Sequence, residues 1–287
     1  MYVHINMRTV KNIHPSIYAP IHDLETYRPM PTQGLHSLDP FLFLNHHGPQ
    51  SYGSNNDGLP FGPHPHRGFE TLTFIFKGDI THWDSSGSKS VITEGGVQWM
   101  TAGSGLIHSE ISSEEFKKNG GTVEVIQLWL NLPSSLKMTP PKYHGLKKDE
   151  ITHFKKEDAE IHLISGNIID KTGPHDSITG LTMASIDLKK DGRLQLNVPS
   201  EHQILFYVVN GEIEVNESKA KTHELVEFES KGTDINLAAM EDTRLIFGHG
   251  KPFNEPIVAH GPFVMNSQQE IEQAFQDYQN GKMGSWN

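Results

Sequence analysis

Short strand-like runs recur along the whole chain, and turn residues separate them. The runs are residues 69–76, 97–101, 123–130, 181–188, 204–209, 212–215 and 243–247. Their length and regular spacing predict an all-β sandwich or barrel, and the 26 Gly and 17 Pro of the 287-residue chain fit many turns better than a helix bundle. Asn210-Gly211 between two such runs predicts a β-hairpin.

The sequence also contains an internal repeat. "FIFKGDITHW" (74–83) is similar to "YVVNGEIEVN" (207–216), at an offset close to half the chain. The repeat predicts two related β domains, residues 1–140 and 141–287. The boundary is expected in the Pro- and Lys-rich stretch "SSLKMTPPKYHGLKKDE" (134–150).

The C-terminal residues have a helical pattern instead. Ser267 and Glu270 have capping-box spacing, and Ile271, Phe275 and Tyr278 follow on one helical face. The pattern predicts one amphipathic helix over 267–281. We expect it to pack on a barrel, and a partner-docking helix is the alternative.

Composition narrows the classes of function and the expected location. The formal net charge of −11, without a basic stripe, argues against direct binding of nucleic acid. The chain has no cysteine, which excludes disulfides and thiolate ligands and fits a reducing, cytoplasmic location. No secretory h-region and no run of 18 apolar residues is visible, so we expect no membrane segment.

The motif His64-x-His66 precedes an apolar run, with Glu70 four residues later. If residues 64–76 are one extended strand, even-numbered side chains share a face, which places both imidazoles and Glu70 with the large apolar side chains inside the barrel. A bulge at Gly68 would move Glu70 out of line. Two imidazoles about 7 Å apart on one face can bind one metal ion. The alternative is two solvent-facing histidines beside Pro65.

A second pair with the same spacing strengthens the metal hypothesis. His108-x-Glu110 ends the Gly-rich stretch "GGVQWMTAGSGLIHSE" (95–110). Three imidazoles and one carboxylate form a mixed set that suits iron, copper, manganese, nickel or zinc better than calcium or magnesium. Adding 133 to the numbers of the first motif leads to Asn197, Pro199 and Gln203, so the second barrel is expected to have no metal site.

These motifs resemble those of pirins, a family of the cupin superfamily. Gly58, His64, His66, Glu70 and Gly78 follow the first cupin motif with one extra residue, while Gly95 and His108 fit a looser second motif in which Thr101 replaces the usual proline. The strings typical of pirins are "LDPFLFL" (38–44), "HPHRGFET" (64–71), "QWMTAGSGLIHSE" (98–110), "QLWLNLP" (127–133) and "HGPFVMN" (260–266).

The resemblance implies a bicupin: two β-barrel (double-stranded β-helix or jelly-roll) domains with a C-terminal helix. It implies one divalent metal ion in the N-terminal barrel, held by His64, His66, His108 and Glu110. Fe(II) is expected, with Cu, Mn, Ni, Co or Zn as alternatives. Glu70 is expected to orient a ligand or to replace one.

The resemblance also implies a quercetin 2,3-dioxygenase activity, in which O2 opens the ring of a flavonol or similar hydroxylated aromatic with release of CO. Glu110 would then also act as the catalytic base. Phe74, Phe76, Trp99 and Met100 are candidates for an apolar pocket or plain core residues. The alternatives are an iron-dependent redox-sensing regulator that binds a protein partner, and a metal-free bicupin. The pair His46-His47 is expected in a solvated turn, with a pocket entrance as the alternative.

Overall fold

The computed structural model describes residues 6–286 and is mostly β. Within that range it contains 26 strands, numbered in chain order, and two α-helices. No helix in this part of the chain is both long and apolar enough to cross a membrane.

The described chain divides into two compact units. The N-terminal unit comprises Tyr18–Tyr27, Phe41–Lys148 and residues 253–286, and the C-terminal unit comprises residues 6–17, Arg28–Pro40 and Asp149–Pro252. Each unit is therefore assembled from three separate segments of the chain. The C-terminal helix groups with the N-terminal unit.

The N-terminal unit is built on nine main strands and two helices. The main strands are β4 (Phe41–Tyr52), β5 (Phe61–His66), β6 (Phe69–Lys77), β7 (Asp79–Asp84), β8 (Lys89–Thr93), β9 (Val97–Thr101), β10 (Leu106–Ile111), β11 (Gly121–Asn131) and β12 (Lys142–Leu146). The helices are α1 (Glu114–Asn119) and α2 (Gln268–Gln279). Two short strands, β25 (Val258–His260) and β26 (Phe263–Met265), precede α2. The chain passes between the units at five points: in β2 (Ile17–Tyr18), in β3 (Thr26–Met30), after Pro40, in a 3-10 turn at Lys148–Glu150, and after Pro252.

The remaining strands form the C-terminal unit. They are β1 (Val10–Pro15), β13 (Thr152–Lys156), β14 (Ala159–Ser165), β15 (Asn167–Ile168), β16 (Lys171–Thr172), β17 (Thr182–Leu188), β18 (Arg193–Asn197), β19 (Gln203–Asn210), β20 (Glu212–Val215), β21 (Ser218–Lys221), β22 (Glu224–Phe228), β23 (Asp234–Ala239) and β24 (Thr243–Gly250). The alternation of buried and exposed residues along β18 and β23 is that of strands with one face in a core.

The two units repeat one topology. Each has a larger sheet, ordered β12-β9-β6-β11-β4-β3-β2 or β1-β22-β19-β24-β17-β14-β13, and a four-stranded sheet, ordered β5-β10-β7-β8 or β18-β23-β20-β21. The strands correspond one to one: β6 with β19, β7 with β20, β5 with β18, and β10 with β23. The matching segments 74–83 and 207–216 thus occupy equivalent places in the two units.

The predicted hairpin at Asn210-Gly211 is wrong. The turn joins β19 to β20, which lie in different sheets, so it is a corner between sheets. The equivalent Gly78 joins β6 to β7 in the same way, and both glycines have positive φ, 83° and 93°. A short turn between two apolar runs predicts a hairpin. The same local sequence also occurs where a strand of one sheet is followed by a strand of the other, as is common in sandwiches.

The predicted C-terminal helix is confirmed as α2. The Ser267 side chain accepts a hydrogen bond from the backbone N–H of Glu270, which is the first half of a capping box. The Glu270 carboxylate reaches back to the helix start, where it accepts from the backbone N–H of Asn266 and from the Ser267 hydroxyl. Ile271 and Ala274 are buried and pack with Phe263 and Met265 of β26. The all-β architecture with one C-terminal helix is therefore confirmed.

Candidate metal centre

Pairing of β5 with β10 brings three histidines together. His64 lies directly opposite His108, and His66 is two residues further along β5 on the same face. The ring centroids of His108 lie 4.4 Å from those of His64 and 5.0 Å from those of His66. One ring nitrogen from each of the three residues falls within 4.8 Å of the others. The group needs a His-x-His pair on one strand and a third histidine on an antiparallel neighbour, and β5 and β10 provide them.

Burial keeps the imidazoles of His66 and His108 neutral. His108 is fully buried and His66 nearly so, while His64 is half-buried. Burial, with His64 nearby, lowers the pKa of His66 to about 3, although a hydrogen bond to the Pro262 carbonyl opposes the shift. Burial and the neighbouring histidines lower the pKa of His108 well below its usual value. Neutral imidazoles have a free lone pair, which is what a metal ion requires.

The hydrogen bonds of His64 and His66 fix which nitrogen carries that lone pair. Nδ1 of His64 lies 2.7 Å from the Gly62 carbonyl, and Nδ1 of His66 lies 3.2 Å from the Pro262 carbonyl. A carbonyl only accepts, so both Nδ1 atoms are protonated and both Nε2 atoms are acceptors. These two Nε2 atoms face each other at 3.1 Å. Two ligands on one metal at right angles, with bonds of about 2.1 Å, stand about 3 Å apart.

The unpaired ring nitrogens of His108 also indicate that these residues fit a metal ion. Both of its ring nitrogens are buried, and neither has a hydrogen-bond partner among the described residues. An unsatisfied buried polar atom costs free energy, so it calls for an explanation such as an ion. The residues present therefore fit a first-row divalent metal.

Glu110 lies on the same strand as His108 but is held by other partners. The compact group of ring nitrogens comprises the three histidines and does not include the Glu110 carboxylate. Thr73 donates a hydrogen bond to Oε1 at 3.0 Å, and Gln127 donates one to Oε2 at 2.5 Å. Each carboxylate oxygen retains a second lone pair. Thr73 and Gln127 therefore immobilise this carboxylate, and the sequence analysis did not identify either residue as part of the site.

Thr73 was missed because residues 64–76 are not one strand. β5 ends at His66 and β6 begins at Phe69 in the other sheet, with Gly68 between them at φ 87°. The odd-numbered face of β6 is the one that reaches Glu110, through Thr73. The expectation that the even-numbered residues share the histidines' face is therefore wrong, and Phe74 and Phe76 lie on the opposite face of β6 from Thr73.

Glu70 lies on that opposite face as well. It is completely buried and accepts a 2.6 Å hydrogen bond from the Thr101 hydroxyl. Burial raises the pKa of Glu70 to about 7, against the opposing effect of hydrogen bonds from Thr101 and Trp99. Thr101 is the residue that stands where the second cupin motif usually has proline, so its hydroxyl has a role in this chain.

Further side chains enclose the histidine cluster. Trp129 and Phe69 contact the ring of His66, with centroids at 5.4 and 4.9 Å. The ring of buried His82 lies 5.5 Å from that of His108, and its Nε2 is 2.9 Å from Asp84. Hydrogen bonds, foremost that with His82, outweigh the effect of burial and lower the pKa of Asp84 to about 2. The spacing His82-x-Asp84 repeats that of the ligand pairs, a signal that the sequence reasoning passed over.

The expectation of a solvated turn at His46-His47 is wrong. Both residues lie in β4 and are buried. Nδ1 of His47 is 2.8 Å from the Thr26 hydroxyl, and Nε2 of His46 is 3.3 Å from Glu124. Adjacent strand residues point to opposite faces of the sheet, so both faces of β4 are covered at this point, which no local pattern of two adjacent histidines indicates.

The equivalent strands of the C-terminal unit offer different side chains. The core-facing side chains of β18 and β23 are apolar: Leu194 lies opposite Leu237, and Leu196 lies opposite Ile235. The polar residues that alternate with them along these two strands point away from the core. The core face of this pair of strands therefore offers no metal ligand.

Comparison with known proteins agrees with this architecture. The family description "Pirin" matches residues 23–130, and "Pirin C-terminal cupin domain" matches residues 183–284. A Pseudomonas aeruginosa protein provisionally named quercetin 2,3-dioxygenase is 37% identical over 265 residues, which cover 92% of this chain and 91% of the relative. The chain belongs to the pirin family. Its fold is accordingly a bicupin with a C-terminal helix.

Two solved structures are similar in fold to this chain. A quercetin 2,3-dioxygenase from Acinetobacter baumannii superimposes with a TM-score of 0.91 at 35% identity, over 97% of this chain and 99% of that one. A bacterial pirin from Escherichia coli, solved in complex with nickel(II), superimposes with a TM-score of 0.67 at 20% identity, over 84% of this chain and 99% of that one. The second likeness concerns the fold alone.

Proposed function

We propose that this pirin is a metal-dependent dioxygenase that opens the ring of a flavonol or a similar hydroxylated aromatic, in the manner of quercetin 2,3-dioxygenases. The observation that carries the proposal is the group of three imidazoles, in which the Nε2 atoms of His64 and His66 face each other and His108 has no hydrogen-bond partner among the described residues. The similarity to proteins named quercetin 2,3-dioxygenase supplies the reaction class.

His64, His66 and His108 would hold the ion, with Glu110 as a fourth ligand, and Fe(II) is the ion we favour. A bound ion of this kind supplies Lewis acidity and a one-electron path between a hydroxylated aromatic and O2. The Gly62 and Pro262 carbonyls fix the tautomers of His64 and His66 before any ion arrives. Such outer hydrogen bonds orient ligating imidazoles.

Glu110 is the group in this chain that can accept the proton of the substrate's hydroxyl. Thr73 and Gln127 each hold one carboxylate oxygen, so the base is already oriented when substrate binds. Trp129 and Phe69 pack beside His66 and keep water from that side of the cluster. A base held in place and partly shielded from water accepts a proton without first reorganising.

O2 uptake by the Fe(II)-loaded protein in the presence of quercetin tests this proposal. We expect catalytic uptake in the wild type and in His260→Ala, which removes an exposed histidine of the same unit. His64→Ala should abolish uptake because it removes one of the three imidazoles. Folding of each variant is checked by circular dichroism.

No uptake by protein that binds one iron per chain would contradict the dioxygenase proposal. The iron-dependent redox-sensing regulator would then be the better account. That account predicts a change of affinity for a protein partner between the ferrous and ferric states.

A further inference from the structure

A second group of metal-ligating side chains lies on the C-terminal unit, away from the strands equivalent to β5 and β10. His153 of β13 stands directly opposite His162 of β14, and their rings stack at 4.7 Å with an angle of 13° between planes. Glu160, two residues before His162, lies on the same face. One ligand atom from each of the three residues falls within 4.8 Å of the others. We propose that these three residues form a second metal site, which binds a borderline first-row divalent ion such as Zn²⁺.

The distances suit such an ion after small movements. Four ligands around a tetrahedral zinc, with bonds of about 2.0–2.1 Å, stand about 3.4 Å apart. Each ligand atom therefore needs to move by about 1 Å. The side chains of His153 and Glu160 are half exposed, at 49% and 47%, so rotation of these side chains meets little packing resistance.

A carboxylate lies beside His162 on the neighbouring strand. Oδ2 of Asp187 on β17 is 3.6 Å from Nε2 of His162, slightly beyond hydrogen-bonding distance. Arg244 donates hydrogen bonds to both oxygens of that carboxylate, at 2.6 and 3.1 Å. If the His162 ring rotates slightly when an ion binds, Nε2 can donate to Asp187, an arrangement that fixes a ligating ring and raises the basicity of the nitrogen that faces the metal.

Lys155 is the competitor for this site. Its Nζ lies 3.2 Å from Oε1 of Glu160. The lysine side chain is 74% exposed, and ion pairs of this kind contribute little, so a divalent cation can displace it. Lys155 thus weakens binding without blocking it.

Because β13 is the last strand of the larger sheet of this unit, an ion held by His153 and His162 would join an edge strand to its neighbour. Edge strands are the part of a sheet most prone to fray or to pair with other chains. The inference departs from the expectation, drawn from the cupin repeat alone, of a C-terminal barrel without a metal. It does not depend on the proposed dioxygenase activity.

Zinc titration by calorimetry tests the site, in a full-length His64→Ala/His108→Ala background that removes the first cluster. We expect this background protein to bind one Zn²⁺ per chain. Adding His162→Ala should weaken that binding at least tenfold, whereas His36→Ala, which removes an exposed histidine of the same unit, should leave it unchanged. Lys155→Ala should tighten binding severalfold, an effect that a misfolded variant would not produce.

Two results would overturn the proposal. One is the absence of zinc binding in the background protein. The other is binding that persists in His153→Ala/His162→Ala, which would mean an adventitious ion only. Hydrogen exchange gives a second readout: zinc should slow exchange of the β13 amides in the background protein but not after His162→Ala.

Discussion

At the scale of single residues, the sequence predicted which histidines meet but not what holds Glu110. His64, His66 and His108 are brought together because residues separated by one share a strand face, a rule that holds inside each short strand. Thr73 and Gln127 come from the other sheet, and their approach to Glu110 depends on how the two sheets face each other. No local pattern contains that information.

Thr73→Val should weaken metal binding. The change removes the hydroxyl that donates to Glu110 and conserves the shape of the side chain, and outer-shell losses of this kind cost about 10- to 100-fold in metal affinity. Competition with a chromophoric chelator measures the effect. Thr71→Val is the matched control, since Thr71 is equally buried on the same face of β6. Equal affinities in the two variants would show that the Thr73 hydrogen bond does not support the site.

Glu70→Gln should change how stability depends on pH. Burial raises the pKa of Glu70 from 4.5 to about 7, so between these values the folded chain retains a proton that the unfolded chain has released. The free energy of unfolding therefore falls as pH rises through this window, by about 3 kcal/mol at most from this group. Urea unfolding from pH 4.5 to 7.5 should show this fall in the wild type and in the exposed-site control Glu114→Gln, but a smaller fall in Glu70→Gln. Parallel curves for all three would refute the assignment.

At the scale of elements, the bounds of some strands follow from the sequence, whereas the sheet that each strand joins does not. The runs 97–101 and 212–215 coincide with β9 and β20. A continuous strand over 64–76 was one of two alternatives, and the chain instead changes sheets at Gly68, the residue where a bulge was the other alternative. The predicted hairpin at Asn210-Gly211 also fails at a glycine where the chain changes sheets. Positive φ at such a glycine is compatible with a hairpin, a bulge or a corner, and only tertiary pairing selects one of them.

Gly68→Ala should destabilise the fold by more than about 1 kcal/mol and weaken metal binding. A Cβ at this position, where φ is 87°, would stand 2.0 Å from the Val264 carbonyl oxygen. The break between β5 and β6 sets the direction of both strands, so its distortion should reach His66. Urea unfolding and metal titration measure the two effects. Gly62→Ala is the control, since a Cβ there meets no atom within 4 Å. Similar results for the two variants would show that the corner at Gly68 tolerates a side chain.

At the scale of the whole molecule, the repeat of 133 residues predicted two related β domains, and the two units have four-stranded sheets in which equivalent strands follow the same order. The repeat did not predict which unit each end of the chain packs against. Residues 10–15 form β1 beside β22 in the C-terminal unit, and α2 packs with β26 in the N-terminal unit. Both segments lie outside the repeated part, so a comparison of the two halves gives no information about where they pack.

Oxygenative ring opening is the activity that we propose for the three-histidine centre of this pirin. Its decisive test is the amount of CO released per O2 consumed when the Fe(II)-loaded wild type acts on quercetin. Ring opening with loss of one carbon predicts one CO for each O2 and for each quercetin consumed, and no CO from His108→Ala. O2 consumption that produces hydrogen peroxide without CO would contradict the claim.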